Sequence, residues 1–181
     1  KKNYFLIKDL KEIDNWIKEA EEVGEVAVDT ETSSLDPHQA DLIGVSLSSK
    51  IGKACYMPLG HKSQKNLNKE LVLKKLKPLL EDSSIKKIGQ NIKFDFIVLF
   101  KHGITISTME DTMLMSYVLD AGKNRHNMDS LSEIHLNHKT IAFKDLVGTG
   151  KKEINFKDVD VEKAKDYAAE DLSLIHISEP T

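Results

Sequence analysis

Apolar residues recur along the chain with two different periods. Within residues 7–22 they are spaced for one face of a helix, at Leu10, Ile13, Trp16 and Ile17. Three shorter runs follow, separated by polar turns, and their composition and alternation predict strands over residues 25–29, 42–48 and 53–58. Because polar turns separate the three strands, an antiparallel meander is expected, with its first strand ending at Asp29.

The remaining apolar positions predict further helices and one more strand. A second helix is expected over residues 71–80, a short strand over 86–89 and a helix from about 93 to 101. Helices are also predicted over 111–119, over 128–136 and from 161 to about 172, with a glycine-containing loop over 143–150. There are no internal repeats and no linker rich in Pro, Gly or Ser, so the pattern indicates a single α/β domain.

Composition restricts the classes of function. The chain has 181 residues and 40% apolar content, without a run of eighteen apolar residues or a signal-like start, which predicts neither a membrane span nor export. A cytoplasmic monomer is expected. Cys55 is the only cysteine and can form no internal disulfide. The formal net charge of −3 argues against coating of long duplexes, so any contact with nucleic acid should be short.

Candidate chemistry lies in carboxylates at three places along the chain. Residues 29–31 close the apolar run 26–28 and open a turn, and because residues i and i+2 of a strand point to one face, Asp29 and Glu31 can aim at one point. Asp95 falls in the first turn of a predicted helix, and Asp171 follows Tyr167 by one helical turn. Since like charges at one point repel, two neighbouring carboxylates favour a bound divalent cation.

Each of these positions also has an ordinary structural interpretation. The chain contains 29 acidic residues, so an acid-x-acid match can arise by chance. Asp95 could simply cap its helix, because a carboxylate in the first turn interacts favourably with the helix dipole. Tyr167 could be a half-buried aromatic residue, and Asp171 a surface charge. The three motifs in combination are more specific than any one alone.

Read in order, these motifs resemble a known family. Residues 28–36 (VDTETSSLD), 89–95 (GQNIKFD) and 167–171 (YAAED) are similar to the three exonuclease motifs of the DEDD superfamily, and the tyrosine marks its DEDDy branch. The likeness extends over most of the chain, including residues 125–131 (RHNMDSL) and 138–141 (HKTI). It is greatest to the proofreading 3′-5′ exonuclease domain of bacterial DNA polymerase I.

The resemblance implies an RNase H-like fold with a central mixed sheet flanked by helices. It implies two divalent ions, Mg²⁺ or Mn²⁺, held by Asp29, Glu31, Asp95 and Asp171 at the terminal phosphodiester of single-stranded DNA. Two ions of this kind stabilise the attacking and leaving oxygens of an in-line displacement. In the family, the residue at Asp29 contacts both ions, those at Glu31 and Asp171 serve the ion that binds the attacking water, and that at Asp95 supports the other. Tyr167 would orient the water, because a hydroxyl with a pKa of about 10 is a poor base.

The resemblance also implies a set of contacts to the terminal nucleotides. Leu35 and Phe143 would lie against the bases, and a ring can stack on all four of them; either residue could instead belong to the core. Polar contacts are expected from Thr32, Gln90, Asn91 and Arg125, although Arg125 could equally form a surface salt bridge. At Phe94, close relatives often have a tyrosine, so a hydroxyl contact is expected to be lost.

Three other features of the sequence bear on these predictions. The nuclease domain is predicted over residues 1–172, and residues 173–181 are assigned to a tail of uncertain origin because Pro180 cannot continue a helix. His135 and His138 lack the partners of a zinc site. Residues 148–151 (GTGK) lack the spacing of a phosphate-binding loop.

These observations lead to one principal hypothesis and two alternatives. The first is a metal-dependent 3′-5′ exonuclease that releases 5′-mononucleotides from single-stranded DNA, with a DNA polymerase domain or protein as a partner that delivers the strand. The second is an exoribonuclease of the RNase D kind, which would have to accommodate the 2′-hydroxyl. The third is a binding or scaffold domain without catalysis, which predicts missing carboxylates.

Overall fold

The structure is a computed structural model that describes residues 2–62, 65–123 and 125–175. In this part of the chain, six strands form one sheet: β1 (Asn3–Leu6), β2 (Glu25–Thr32), β3 (Leu42–Lys50), β4 (Lys53–Pro58), β5 (Lys86–Gly89) and β6 (Met109–Asp111). Their order across the sheet is β1-β4-β3-β2-β5-β6. The pairs β2/β3 and β3/β4 are antiparallel, whereas β1/β4, β2/β5 and β5/β6 are parallel. The predicted mixed sheet with an antiparallel meander is therefore confirmed.

Helices cover both faces of this sheet. The described residues contain α1 (Leu10–Val23), α2 (Lys69–Glu81), α3 (Ile92–Phe100), α4 (Thr112–Asp120), α5 (Met128–Leu136), α6 (Phe143–Val147) and α7 (Val161–Ile175). Side chains of α1, α2 and α3 pack with the sheet in the larger core, while α7 packs across β1 to β5 on the opposite face. The α/β layering expected from the sequence is confirmed.

Alternation along β2 explains how one strand serves both cores. Val26 and Val28 lie in the larger core with α1 and α2, whereas Ala27 contacts the face covered by α7. Because successive side chains point to opposite faces, Asp29 and Glu31 continue the row of Ala27, and Thr30 continues the row of Val28. The strand end therefore presents acidic groups to the α7 face and a threonine to the α3 face.

Several details differ from the sequence prediction, among them the end of β2, which continues past Asp29 to Thr32. The strands β1 and β6 were missed, because runs of four and three residues carry almost no periodic signal. The short helix α6 and a 3₁₀ turn at Gly150–Lys152 occupy the stretch predicted as a loop. Helix α7 continues to Ile175, and its last three residues are buried. These three residues thus pack with the domain, and the rest of the predicted tail, residues 176–181, lies outside the described residues.

None of the helices in the described ranges is long and apolar enough to span a bilayer.

Candidate active site

The end of β2 carries the first two acidic residues of the candidate site. Asp29 pairs with Ser46 and Glu31 with Gly44 on β3, and the register shifts between Glu31 and Thr32, where the regular ladder ends. Asp29 is partly accessible, whereas Glu31 is buried. The Glu31 Oε1 atom has no hydrogen-bond partner among the described residues. A buried carboxylate oxygen without a donor is costly, so it marks a position where a ligand would be stabilising.

Asp95 reaches the same place from the opposite side of the sheet. It lies in the first turn of α3 and is almost completely buried. Its Oδ1 accepts hydrogen bonds from the Thr30 backbone N–H at 2.8 Å and from the Thr30 hydroxyl at 2.6 Å. Asp95 is therefore fixed to the strand that carries Asp29 and Glu31. The capping interpretation does not account for this bond between residues 65 positions apart.

Helix α7 brings Asp171 and Tyr167 to the other side of Asp29 and Glu31. Tyr167 precedes Asp171 by one helical turn, both residues line the same cleft, and the Asp171 charge acts on the Tyr167 hydroxyl. The surface-charge interpretation of Asp171 is wrong, because Asp171 lines the cleft together with Asp29, Glu31 and Asp95. The structure thus brings together all five residues that the sequence assigned to chemistry.

Burial and mutual repulsion raise the pKa values of these carboxylates. Burial raises the pKa of Asp29 to about 7, even though the Thr30 N–H acts to lower it. For Glu31, burial and then the charges of Asp29, Asp171 and Asp95 raise the pKa well above its ordinary value. The pKa values of Asp95 and Asp171 are also raised well above normal, mainly by burial and then by the charge of Asp29. Each of the four acidic groups disfavours ionisation of the others, so a bound positive charge would stabilise them in the ionised form.

The donor set fits hard divalent cations. Carboxylate oxygens are the ligands that Mg²⁺ and Mn²⁺ prefer, and the open oxygen of Glu31 faces this cluster. In the described part of the chain, however, no three acidic, histidine or cysteine side chains already surround one point at ligand distance. These side chains would therefore have to move to coordinate an ion. The orphaned Glu31 oxygen and the mutual repulsion of the carboxylates are the observations that fit a cation.

The carboxylates form the floor of a cleft with a volume of about 770 Å³. Six of the seven residues predicted to contact substrate line it: Thr32, Leu35, Gln90, Asn91, Phe94 and Phe143. Leu35 is 92% exposed and Phe143 is 44% exposed, so the interpretation of either as a core residue is wrong. Exposed apolar groups beside a polar floor are suited to flat, apolar ligand surfaces such as bases.

Gln90 and Arg125, two of the residues predicted to contact substrate, differ from that prediction in their interactions or position. The Gln90 side chain donates to the His126 carbonyl at 2.7 Å and accepts from the Thr112 hydroxyl at 2.6 Å. Gln90 therefore holds the loop before α5 as well as lining the cleft. Arg125 is exposed and does not line the cleft, where Asn127 of the same loop and Met128, the first residue of α5, are found instead.

The sequence did not reveal that residues 153–156 form a wall of the cleft; together with the three residues that follow, they are here called the cleft segment (153–159). Glu153, Ile154, Asn155 and Phe156 line the cleft, and Asn155 donates to the Ser33 carbonyl at 2.8 Å. Phe156 lies parallel to Phe143, with ring centroids 6.2 Å apart, and also contacts Tyr167. Because these contacts join residues far apart in sequence, no local pattern could have predicted them.

A buried acidic residue beside the site has a different environment. Glu170 accepts hydrogen bonds from Lys2, from His138 Nε2 at 3.0 Å and from the Ile141 N–H at 2.7 Å. Burial acts to raise its pKa, but these three donors outweigh burial and lower it. Glu170 therefore ties the N-terminus and the connection leading to α6 onto α7, the helix that carries Asp171.

A second groove, of about 710 Å³, lies between α3 and α4. Its walls are almost entirely apolar, and none of the predicted site residues lines it. The acidic cleft is therefore the better candidate for chemistry, because it combines apolar walls with convergent titratable groups.

Comparison with known proteins agrees with this assignment. A family model described as 3′-5′ exonuclease (DNA_pol_A_exo1) matches residues 4–177. DNA polymerase I of Rhizobium leguminosarum is 43% identical over 189 residues, covering 93% of this chain and 18% of the relative. DNA polymerase I of Pseudomonas aeruginosa is 43% identical over 175 residues, covering 93% of this chain and 19% of the relative. The chain thus spans about a fifth of the length of these relatives.

Solved structures give the same fold. Brucella melitensis NrnC superposes with a TM-score of 0.71 at 26% identity, covering 98% of this chain and 78% of that chain. NrnC with bound Mg²⁺ also matches, with a TM-score of 0.67 and the same coverage. Trypanosoma brucei RNase D has a TM-score of 0.78 at 15% identity, covering 97% of this chain and 63% of that chain, which shows the fold alone. With its acidic cleft, its RNase H-like sheet and the family match over residues 4–177, this chain belongs to the 3′-5′ exonuclease family found in bacterial DNA polymerase I.

Proposed function

We propose that this chain is a metal-dependent 3′-5′ exodeoxyribonuclease of the proofreading type, which hydrolyses the terminal phosphodiester of single-stranded DNA and releases 5′-mononucleotides. The observation that carries the proposal is the meeting of four carboxylates from three elements at one cleft floor: Asp29 and Glu31 from β2, Asp95 from α3 and Asp171 from α7. A binding or scaffold domain would have no need for four carboxylates with mutually raised pKa values.

The four carboxylates would hold two divalent ions, Mg²⁺ or Mn²⁺. When bound, such ions neutralise charge at the phosphodiester and stabilise both the attacking and the leaving oxygen. The protein's part is to keep the ligands in place, since Thr30 fixes Asp95 and the β2 backbone fixes the spacing of Asp29 and Glu31. The Mg²⁺-bound NrnC structure belongs to a related chain and is consistent with this choice of metal.

Tyr167 would orient the attacking water rather than remove its proton. Burial, and then the charges of Asp171, Glu31 and Asp29, raise the pKa of its hydroxyl well above the ordinary value, so the hydroxyl keeps its proton and acts as a hydrogen-bond donor or acceptor. Attack at the terminal phosphorus then breaks the bond to the 3′ oxygen of the preceding nucleotide. The products are a 5′-mononucleotide and a strand shortened by one residue with a free 3′-hydroxyl.

The walls of the cleft support a single-stranded substrate. Leu35 and Phe143 present exposed apolar surfaces near the acidic floor, and stacking on an aromatic ring such as that of Phe143 is worth about 1–3 kcal/mol per base regardless of the base. A duplex end would have to fray before its terminal base could lie between them. DNA rather than RNA is proposed because the relatives at 43% identity are DNA polymerases.

A polymerase domain or protein is proposed as the partner that delivers the 3′ end. The curated relatives are about five times longer than the part that this chain matches, and their names describe DNA polymerases. Acting without such a partner, this chain should bind single strands weakly. Adding the partner should lower KM more than it changes kcat, because the partner contributes binding and not chemistry.

The proposal is tested by degradation of matched DNA and RNA oligonucleotides carrying either a 5′ or a 3′ label, with Mg²⁺, Mn²⁺ or a chelator. We expect a DNA ladder from the 5′ label and immediate mononucleotide release from the 3′ label, both abolished by chelation. Asp29→Ala should lower the rate by roughly 10³-fold, since the bound metals supply several kcal/mol of transition-state stabilisation. Asp166→Asn, on the exposed side of α7, is the matched control and should leave the rate unchanged.

Three results would overturn parts of the proposal. Faster loss of RNA than of DNA would reassign the chain to an exoribonuclease of the RNase D kind. Cleavage that persists in the presence of chelator would show that the reaction does not depend on a metal ion. Binding of both oligonucleotides without any cleavage in either metal would favour the non-catalytic alternative.

A further inference from the structure

A buried Tyr56–His61 pair lies behind the cleft and takes no part in the chemistry proposed above. Tyr56 on β4 is 0% exposed and His61, three residues after β4 ends, is 3% exposed. The Tyr56 hydroxyl and His61 Nε2 are 2.7 Å apart, and His61 Nδ1 is 3.1 Å from the Val159 carbonyl oxygen. The two side chains therefore connect the sheet to the residue that ends the cleft segment.

These bonds fix the protonation of the histidine. A carbonyl oxygen can only accept, so Nδ1 carries the proton and donates it to Val159. Nε2 of the neutral ring then accepts from the Tyr56 hydroxyl. Burial lowers the pKa of His61 and raises that of Tyr56, so both groups are in the neutral forms that this bonding pattern requires.

The hydroxyl of Tyr56 is also closely confined. A Cβ atom placed on Gly44, the residue that pairs with Glu31, would lie 2.2 Å from the Tyr56 oxygen, so only glycine fits at this position. Ser46, which pairs with both Asp29 and Tyr56, completes a buried polar row on this face of the sheet. Tyr56 thus has little freedom to move, and its hydrogen bond to His61 holds the histidine ring in place.

The cleft segment is held by several contacts, among them the Asn155–Ser33 hydrogen bond, the Lys62–Asp158 ion pair and the burial of Phe156 and Val159. Its backbone is tied at Ile154 to the Val147 carbonyl at 2.8 Å and at the Lys157 carbonyl to the Lys62 N–H at 2.8 Å. The His61 ring also packs against Phe156 at 5.9 Å, and Phe156 supports both Phe143 and Tyr167. Residues 61 and 62 therefore hold the end of the segment that carries the aromatic wall.

We propose that Tyr56 and His61 are positioning residues that anchor the cleft segment through the Val159 carbonyl and the Phe156 ring, and thereby set the place of Phe143 against the terminal base. The inference rests on the proposed function, because it concerns the binding of a DNA 3′ end in the same cleft. It predicts an effect mainly on KM, since the anchor acts on the base-contacting wall. Tyr167 is additionally held by α7 and should be less affected.

Two substitutions of His61 separate its two hydrogen bonds. In His61→Asn, the amide nitrogen takes the place of Nδ1 and can still donate to Val159, whereas in His61→Gln the longer amide reaches Tyr56 but leaves Val159 without its donor. Hydrogen exchange over residues 153–160, followed by mass spectrometry, reports the anchoring without any metal or substrate. Steady-state kinetics on a dT oligonucleotide in Mg²⁺ then gives KM and kcat separately.

We expect His61→Gln to accelerate exchange over residues 153–160 and to raise KM roughly tenfold, below the hundredfold that a misplacement of 1 Å can cost. His61→Asn keeps the donor to Val159 but loses the Tyr56 bond and the ring contact with Phe156, so it should raise both quantities less than His61→Gln does, by about threefold. Tyr56→Phe removes only the hydroxyl and should give an intermediate increase in exchange and KM. This third variant also tests the proposal if His61→Gln does not fold.

The matched control is Leu79→Ala, in the core on the other face of the sheet, which lowers stability without touching the cleft segment. If His61→Gln and His61→Asn behave alike, or if KM follows the melting temperature in the same way as in Leu79→Ala, the positioning role is overturned. If the parent chain degrades no oligonucleotide but His61→Gln still accelerates local exchange, the proposed function fails while the anchoring of the segment stands.

Discussion

Thr30 donates two hydrogen bonds to one oxygen of Asp95, from its backbone N–H at 2.8 Å and from its hydroxyl at 2.6 Å. Thr30 stands between Asp29 and Glu31 on β2, so its side chain points to the face where α3 delivers Asp95. One strand end therefore carries two candidate metal ligands and the group that orients a third. With Oδ1 occupied in this way, Oδ2 of Asp95 is the oxygen available to a cation.

Replacing this hydroxyl should weaken metal-dependent activity. Thr30→Val keeps the shape of the side chain but removes one charge-assisted hydrogen bond, a loss of about 1.5–3 kcal/mol. Since the backbone N–H still holds Asp95, we expect about a tenfold rise in the Mn²⁺ concentration that gives half-maximal activity. Titration of the initial rate with Mn²⁺ measures this, and Thr30→Ser should restore the parent value. A valine variant that titrates like the parent would show that the hydroxyl does not position Asp95.

The raised pKa of Asp29 predicts that stability falls as pH rises. The folded value of about 7 lies above the reference value of 3.8, so the folded chain binds more protons than the unfolded chain between these values. The stabilising contribution is complete below about pH 4 and is lost as pH rises through 7. Asp29→Asn should therefore increase the unfolding free energy at pH 7.5 by about 2 kcal/mol, after allowance for partial exposure and coupling.

Thermal unfolding of both proteins from pH 4.5 to 8 checks this, with chelator present throughout. The difference between Asp29→Asn and the parent should be small at pH 4.5 and grow toward pH 7.5. Added Mg²⁺ should raise the melting temperature of the parent more at pH 7.5 than at pH 5, and should have much less effect on the variant. A difference that does not change with pH would contradict the assignment.

The exposed apolar residues predict how the substrate is held. Phe143→Ala should raise KM for a dT oligonucleotide about tenfold, and Leu35→Ala somewhat less, because stacking is worth about 1–3 kcal/mol per base. The effects on dA and dT strands should be similar, since contact with a ring face does not identify the base. Steady-state kinetics on both homopolymers measures these changes.

Leu114→Ala is the matched control, because Leu114 is apolar and 57% exposed, between Phe143 and Leu35, but lines the groove between α3 and α4. It should leave KM unchanged. An equal rise in KM for Leu114→Ala would mean that general exposure of apolar surface, and not the cleft, binds the strand.

The sequence predicted the acidic floor of this cleft well and its walls incompletely. The carboxylates were assigned from three motifs in combination and from the family that these motifs resemble, and the helix over 128–136 and the strand over 86–89 were predicted with the observed bounds. By contrast, Asn155 and His61 acquire their roles from partners 122 and 98 positions away. Such contacts depend on tertiary packing, for which hydrophobic periodicity gives no signal.

Adjacent residues on α7 offer a test of which acidic group supports the fold and which serves the site. The pKa of Glu170 is lowered despite burial, because Lys2, the Ile141 N–H and His138 all donate to it. The pKa of Asp171 is raised, by burial and then by the charge of Asp29. Neutral amides at the two positions should therefore change stability in opposite directions.

Glu170→Gln should lower the unfolding free energy by about 2 kcal/mol, since it loses charge-assisted bonds in a buried place. For a domain of this size, that corresponds to a melting temperature lower by about 4–8 °C. Its kcat should stay within about threefold of the parent, because it touches no reacting group. Asp171→Asn should instead raise the melting temperature, since a buried charge and its repulsion are removed, while activity falls by roughly 10³-fold with the loss of a metal ligand.

Differential scanning calorimetry in chelator and initial rates in Mg²⁺ measure the two properties on the same preparations. Opposite changes in melting temperature would exclude a general disturbance of α7, because both side chains belong to the same turn of that helix. If both variants lose stability, the contacts of Asp171 stabilise the fold more than charge repulsion destabilises it. Repulsion within the acidic cluster would then not favour a bound cation. If Glu170→Gln loses activity as fully as Asp171→Asn, Glu170 belongs to the site itself.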